Sequence, residues 1–161
     1  MTRLILFFAF SLLLIPFCKT GAQSSSISIS YLKTERSKDS HSISELFSLE
    51  GKALSYSVKQ TGRGGPYPNN NNKTCVLTDE NFKQLWTVIA EKRLNENDSL
   101  INNSSLQPPY SSESIDITVM KNGKVTSISV KGESSWLSGK PIYKNSEYLI
   151  AVVRNMLAKC K

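Results

Sequence analysis

The side chains able to do chemistry are few and scattered. His41 is the single histidine and sits beside Asp39 in a charged stretch. A general base must be held against a nucleophile and oriented by a third group, and a polar turn supplies neither. Ser30 and Lys33 match the Ser-x-x-Lys pattern of some acyl-transfer enzymes. That pattern needs a helix, where residues three apart share a face. The local alternation here is that of a strand, which turns them to opposite faces. Lys19-Thr20-Gly21 matches a companion motif but falls in the N-terminal apolar segment. Glu113 and Asp116 form a carboxylate pair only in sequence, flanking a strand start. Gly62, Gly64 and Gly65 are glycine-rich without the strand–loop–helix setting that a phosphate cradle requires. No His/Cys cluster has metal-ligand spacing. No catalytic constellation, metal site or cofactor is therefore expected, and the protein reads as a non-enzyme.

The cysteines say more. Cys18 lies in the N-terminal apolar segment, whereas Cys75 and Cys160 lie beyond it. There is no Cys-x-x-Cys, so the expectation is a structural Cys75–Cys160 disulfide, of the kind exported proteins use. Chain entropy gives such a bond, across so long a loop, roughly 4 to 5 kcal/mol.

Aromatic side chains near cations are the remaining lead, because binding surfaces favour them. Trp136 and Tyr143 fall in segments read as loop near Lys140, and Tyr67 and Arg63 fall in a Gly/Pro/Asn-rich stretch. These five are the candidate partner-binding residues. For Trp136 the competing reading is a ring tucked under its loop to complete the core.

The elements that must position them follow from period and turn chemistry. Residues 27–32, 43–49 and 54–58 alternate apolar and polar positions, the period of half-buried strands. Residues 33–41 are charged and polar and must contain a turn or a frayed strand end, and residues 61–74 read as irregular. Thr78 is a helix cap with Asp79 and Glu80 in the first turn, and Phe82, Leu85, Trp86 and Ile89 then form an apolar stripe. Residues 95–114 read as a polar loop. Asn122-Gly123 between residues 115–119 and 126–130 is a strong hairpin signal. A last helix is expected from Asn145 or Ser146, with Tyr148, Leu149, Val152, Val153, Met156 and Leu157 as its apolar face. The expected fold is α+β: a two-layer sandwich with an antiparallel sheet of about five strands, order βββ-α-ββ-α, and two helices on one face.

The N-terminus sets the address. Arg3 precedes an apolar run over residues 4–17, and Thr20-Gly21-Ala22 offers small residues for cleavage before Gln23. That run is shorter than the roughly 20 residues a membrane-crossing helix needs. Residues 1–22 thus read as a signal peptide and residues 23–161 as one domain, secreted or periplasmic, with no membrane span once the signal is removed. Phe17 is too large for the position before a lipidated cysteine, so no lipid anchor is expected at Cys18.

Subtracting Arg3 and Lys19 from the formal charge of +7 leaves +5, interleaved with acids. That pattern is a solvated surface, and no nucleic-acid partner is expected. Asn72, Asn97, Asn102 and Asn103 each begin an Asn-x-Ser/Thr acceptor pattern. The functional expectation is a secreted binding or interaction domain whose partner is an extracytoplasmic protein or glycan. A particular version is an inhibitor of an exported hydrolase anchored by Arg63, and the rival class is a hydrolase with an unfamiliar site.

Overall fold

The computed structural model describes residues 25–36, 41–62, 72–102 and 110–160. Their chain order is β1 (Ser26–Arg36), β2 (His41–Glu50), β3 (Ala53–Gly62), β4 (Asn72–Val76), α1 (Asp79–Glu91), β5 (Asp98–Ile101), β6 (Tyr110–Lys121), β7 (Lys124–Glu133), α2 (Ser134–Leu137) and α3 (Pro141–Lys159). The strands form one sheet in the order β4-β3-β2-β1-β6-β7-β5.

This corrects the expected five-stranded antiparallel sheet. The sheet has seven strands and is mixed, because β5 runs parallel to β7. The two additional strands are the two edges, and both fall in stretches read as irregular. In β4 every residue but Cys75 is exposed, and in β5 every residue but Leu100. Edge strands with a single inward residue each leave no apolar alternation in the sequence. Short, polar edges of this kind also discourage pairing with another chain.

The inner strands run longer than their apolar alternation suggests. Lys33, Thr34 and Glu35 pair with Ile43, Ser42 and His41, so these residues are the strand end that the charged stretch allowed. Similarly, Ser111 to Ser114 belong to β6, paired with β1.

Hairpin β6–β7 turns at Asn122-Gly123, whose φ values of 53° and 75° are the left-handed pair that a two-residue hairpin requires. α1 starts where Thr78 accepts a hydrogen bond from the Asn81 N–H, at 3.2 Å. α3 begins at Pro141, four residues before the expected start. Proline suits a first helical turn, where its missing N–H leaves nothing unpaired.

Alternate strand residues build the core. Phe47, Ile29, Ile117 and Ile128 line up across β2, β1, β6 and β7. They are buried together with Leu85 and Ile89 of α1 and Leu149 and Val153 of α3. The opposite face of the sheet carries Ser28, Ser55, Thr118 and Ser127, all exposed.

α3 crosses the sheet obliquely, and its contacts mark the path. Tyr143 meets Glu113 of β6, Arg154 meets Glu45 of β2, and the Leu157 carbonyl accepts from Lys73 of β4 at 2.5 Å. A Cys75–Cys160 disulfide, closing a sequence separation of 85, then ties the end of α3 to β4. Such a bond is compatible with an oxidising compartment. Among the described residues no helix is long and apolar enough to cross a membrane. The expected export signal and cleavage site lie outside the described residues.

Candidate functional site

The helix-facing side of the sheet changes character along β1. Ile27 and Ile29 are core, whereas the next residue on that face is Tyr31, paired with Glu45 across the β1–β2 ladder. Glu113 lies opposite Lys33 on β6, and Tyr56 lies opposite Phe47 on β3. Two carboxylates are thus buried on a face that is otherwise apolar, each only 7% exposed. A buried carboxylate is tolerated when its oxygens are hydrogen-bonded or paired with a cation.

Glu113 is satisfied entirely by hydroxyls. Its Oε2 accepts from Tyr143 at 2.7 Å and from Tyr31 at 3.2 Å, and its Oε1 accepts from Ser134 at 2.8 Å. The Ser134 oxygen is also 3.0 Å from the Ser111 hydroxyl. Having spent its own proton on Glu113, Ser134 accepts from Ser111. Glu45 is satisfied differently: its Oε1 accepts from Tyr56 at 2.8 Å, and the Arg154 guanidinium binds both its oxygens. Arg154 also lies over the Tyr31 ring, 5.4 Å from its centroid. Tyr31 therefore joins the two halves, with its hydroxyl on Glu113 and its face beneath the cation that holds Glu45.

The Tyr143 hydroxyl lies 2.8 Å from a Glu147 carboxylate oxygen as well. A phenol has one proton to donate, so only one of the two carboxylates receives it at a time. Burial, then the adjacent carboxylates, raise Tyr31, Tyr56 and Tyr143 well above the ordinary tyrosine value. All three remain hydroxyl donors at neutral pH. Burial works against the Arg154 charge, but the hydrogen bonds and charge of Glu45 outweigh it.

Beside this network lies a groove of about 450 Å³, within the usual range for ligand sites. Tyr31 and Arg154 form its inner wall, and Lys144, Glu147, Tyr148 and Ala151 of α3 form the other. Farther out, Glu35 is 3.0 Å from Lys33 and 3.2 Å from His41. The Lys33 hydrogen bond, and then its charge, hold the Glu35 carboxyl below its ordinary value.

The residues singled out from sequence fall elsewhere. Arg63 and Tyr67 lie outside the described residues. Trp136 is on α2, half-buried, with the Lys140 ammonium 4.7 Å from its ring centroid. Its ring packs on Gly132, where an added Cβ would come within 3.1 Å of it. Trp136 and Lys140 thus meet, but as a packed corner. Tyr143 is not on a loop: it is in α3, 4% exposed, with its hydroxyl on Glu113. Glu113 and Asp116 point to opposite faces of β6, and Asp116 accepts from Ser129 at 2.6 Å on the open face. Among the described residues no group of His, Cys, Asp and Glu is arranged to hold a metal.

Tyr31, Glu45, Tyr56, Glu147 and Arg154 were not indicated by any motif. The available signal was one of phase. Glu45 stands between Ile43 and Phe47, and Glu113 two residues before Ile115, at positions that alternation assigns to the core. A carboxylate in the apolar phase of a strand must find partners, and the partners found here are this network.

No family model matches the chain, and no curated protein does.

Proposed function

We propose that this protein is an exported, non-enzymatic binding domain, and that its ligand seat is the groove that Tyr31 of β1 forms with α3. The observation that carries this reading is the fixed position of the groove's inner wall. Arg154 is held on Glu45 and Tyr31 on Glu113, so a ligand meets side chains already ordered before it arrives. Preorganisation of this sort reduces the entropy lost on binding. Lys144, Glu147 and Tyr148 then present a cation, an anion and an aromatic ring on one helix. That mixture suits a polar, uncharged or zwitterionic ligand, such as a glycan or the loop of an extracytoplasmic protein. The Cys75–Cys160 bond supports an oxidising location.

Glycan arrays and capture from exported fractions, using the wild-type protein and a Tyr148→Ala/Ala151→Trp variant, test the assignment. Both substitutions lie on exposed helix positions. The expected result is one ligand retained by the wild type and lost by the variant. Equal retention by both proteins would move the site away from α3.

One observation favours a hydrolase as a second reading. Ser134 is hydrogen-bonded to Glu113, which is a nucleophile-type hydroxyl on a carboxylate. Its discriminator is turnover of glycosidic, ester or peptide substrates that disappears in Glu113→Gln while the melting transition persists. Such a result would replace the binding reading.

A further inference from the structure

A second concavity lies on the other helix, away from the α3 groove. Phe82, Trp86 and Ala90 stand at successive turns of α1 and form one wall of a groove of about 560 Å³. Lys121, at the end of β6, forms the facing lip, and Lys83 and Glu91 stand at the rim. The α1 stripe is wider than the core requires. Leu85 and Ile89 are fully buried, whereas Phe82 and Trp86 are half-buried and turn part of their rings into this groove. Their rings meet edge to face at 6.2 Å. The Lys121 ammonium lies 5.1 Å from the Trp86 ring centroid. Among the described residues, neither Lys83 nor Lys121 is in an ion pair.

Two cations without an ion pair among the described residues, one of them over the Trp86 ring, therefore border an apolar, partly aromatic slot. Glu91 is the one acid in the lining. It stands eight residues along the helix from Lys83, about 12 Å at the rise of an α-helix. The lining thus carries two cations against one acid, Glu80 on the turn before Lys83 lying outside it, and its middle is apolar. We propose that this groove binds a free, single-chain amphipathic anion, with its acyl body along Phe82, Trp86 and Ala90 and its carboxylate between Lys83 and Lys121. Charge complementarity selects an anion. Phe82 and Ala90 stand eight residues apart, about 12 Å of helix, a length that suits one medium-length acyl chain lying along an open groove.

The test uses the full protein and calorimetric titration with dodecanoate below its micellar range. Dodecyltrimethylammonium is the charge-reversed control, and phosphatidylglycerol vesicles are the surface control. Saturable binding of dodecanoate is expected, with the cation weaker by roughly tenfold, the scale of two exposed charge contacts. Lys83→Glu/Lys121→Glu is expected to weaken dodecanoate by at least that factor, and Ala90→Trp to block it by filling the slot. Ala90 and both lysines are exposed, so each variant is checked for an unchanged melting transition before titration. The proposal is overturned by absence of saturable binding, by equal affinity for the cation, or by affinity that survives either variant. Binding to the vesicles without binding of monomeric dodecanoate overturns it as well. None of these outcomes bears on the α3 groove, which shares no residue with this one.

Discussion

Ile27 and Ile29 share a strand and a face with Tyr31 and Lys33, yet the two pairs occupy different surroundings. Around the isoleucines the cross-strand neighbours are Leu49, Val119, Phe47 and Ile117, all buried and apolar. Around Tyr31 the cover is the flank of α3 alone, and the neighbours are Glu45, Glu113 and Arg154. One half is held by close packing, which is insensitive to pH and indifferent to direction. The other half is held by hydroxyl–carboxylate and guanidinium–carboxylate contacts, which fix particular atoms. The dry half supplies stability, and the polar half sets the course of α3 and with it the α3 groove. The two halves should therefore fail differently.

The largest effect is expected from a change that spares neither half. A Cys75→Ser/Cys160→Ser variant releases a bond that acts mainly on the unfolded chain, so it should lower stability by roughly 4 kcal/mol. Denaturant melts followed by core fluorescence and by the tyrosine signal should shift together. A shift in one probe alone would mean that the clamp serves one half only. Next comes Ile117→Ala in the dry half, where the side chain is wholly buried. About 3 kcal/mol should be lost as transfer energy and cavity together. Equilibrium denaturation measures it, and the α3 groove should keep its ligand.

The polar half should break asymmetrically. Arg154→Met leaves Glu45 buried with Tyr56 as its remaining partner, and about 2 kcal/mol should be lost. That figure is below the value for a wholly buried pair because the Arg154 side chain is 46% exposed. Adding Glu45→Leu should recover most of the loss, since removing both charges abolishes the unpaired carboxylate. Ligand binding at α3 should stay lost in the double variant even as stability returns. A double variant no more stable than Arg154→Met would mean that packing, not charge, carries this contact.

The two halves were also unequally legible in the sequence. The dry half announces itself, because its residues alternate along each strand and its hairpin turns on the local chemistry of Asn122-Gly123. The Thr78 cap and the Cys75–Cys160 pairing were legible for the same reason: each depends on near neighbours or on elimination. The edges β4 and β5 were not, since each turns only one residue inward and so leaves no alternation in the side-chain pattern. The polar network was hidden by distance, Tyr31 and Glu113 being 82 residues apart. Charge in the strands meanwhile left the β1–β2 extension open between a turn and a frayed strand end. Tyr143 was misplaced because Pro141 reads equally well as a loop residue or as a first helical turn.

The smallest effect is also the one that separates the halves most cleanly. Tyr31, Tyr56 and Tyr143 are three of the chain's six tyrosines, and burial beside carboxylates raises all three. In the unfolded chain each would ionise near its ordinary value of about 10. Above that pH the unfolded state releases protons that the folded state retains. Their contribution to stability is thus intact below pH 10 or so, and falls as pH rises further. Tyrosinate absorbance of the native protein should omit these three until alkaline unfolding, then show them together. Tyr143→Phe should remove one proton from that step and make the alkaline limb of the stability curve shallower. Ile117→Ala should lower the whole curve and leave that slope unchanged, because the dry half contributes nothing that titrates. A Tyr143→Phe curve parallel to the wild type would mean that the Tyr143 hydroxyl is not held between Glu113 and Glu147 in solution. The polar half would then differ from the dry one in composition but not in mechanism.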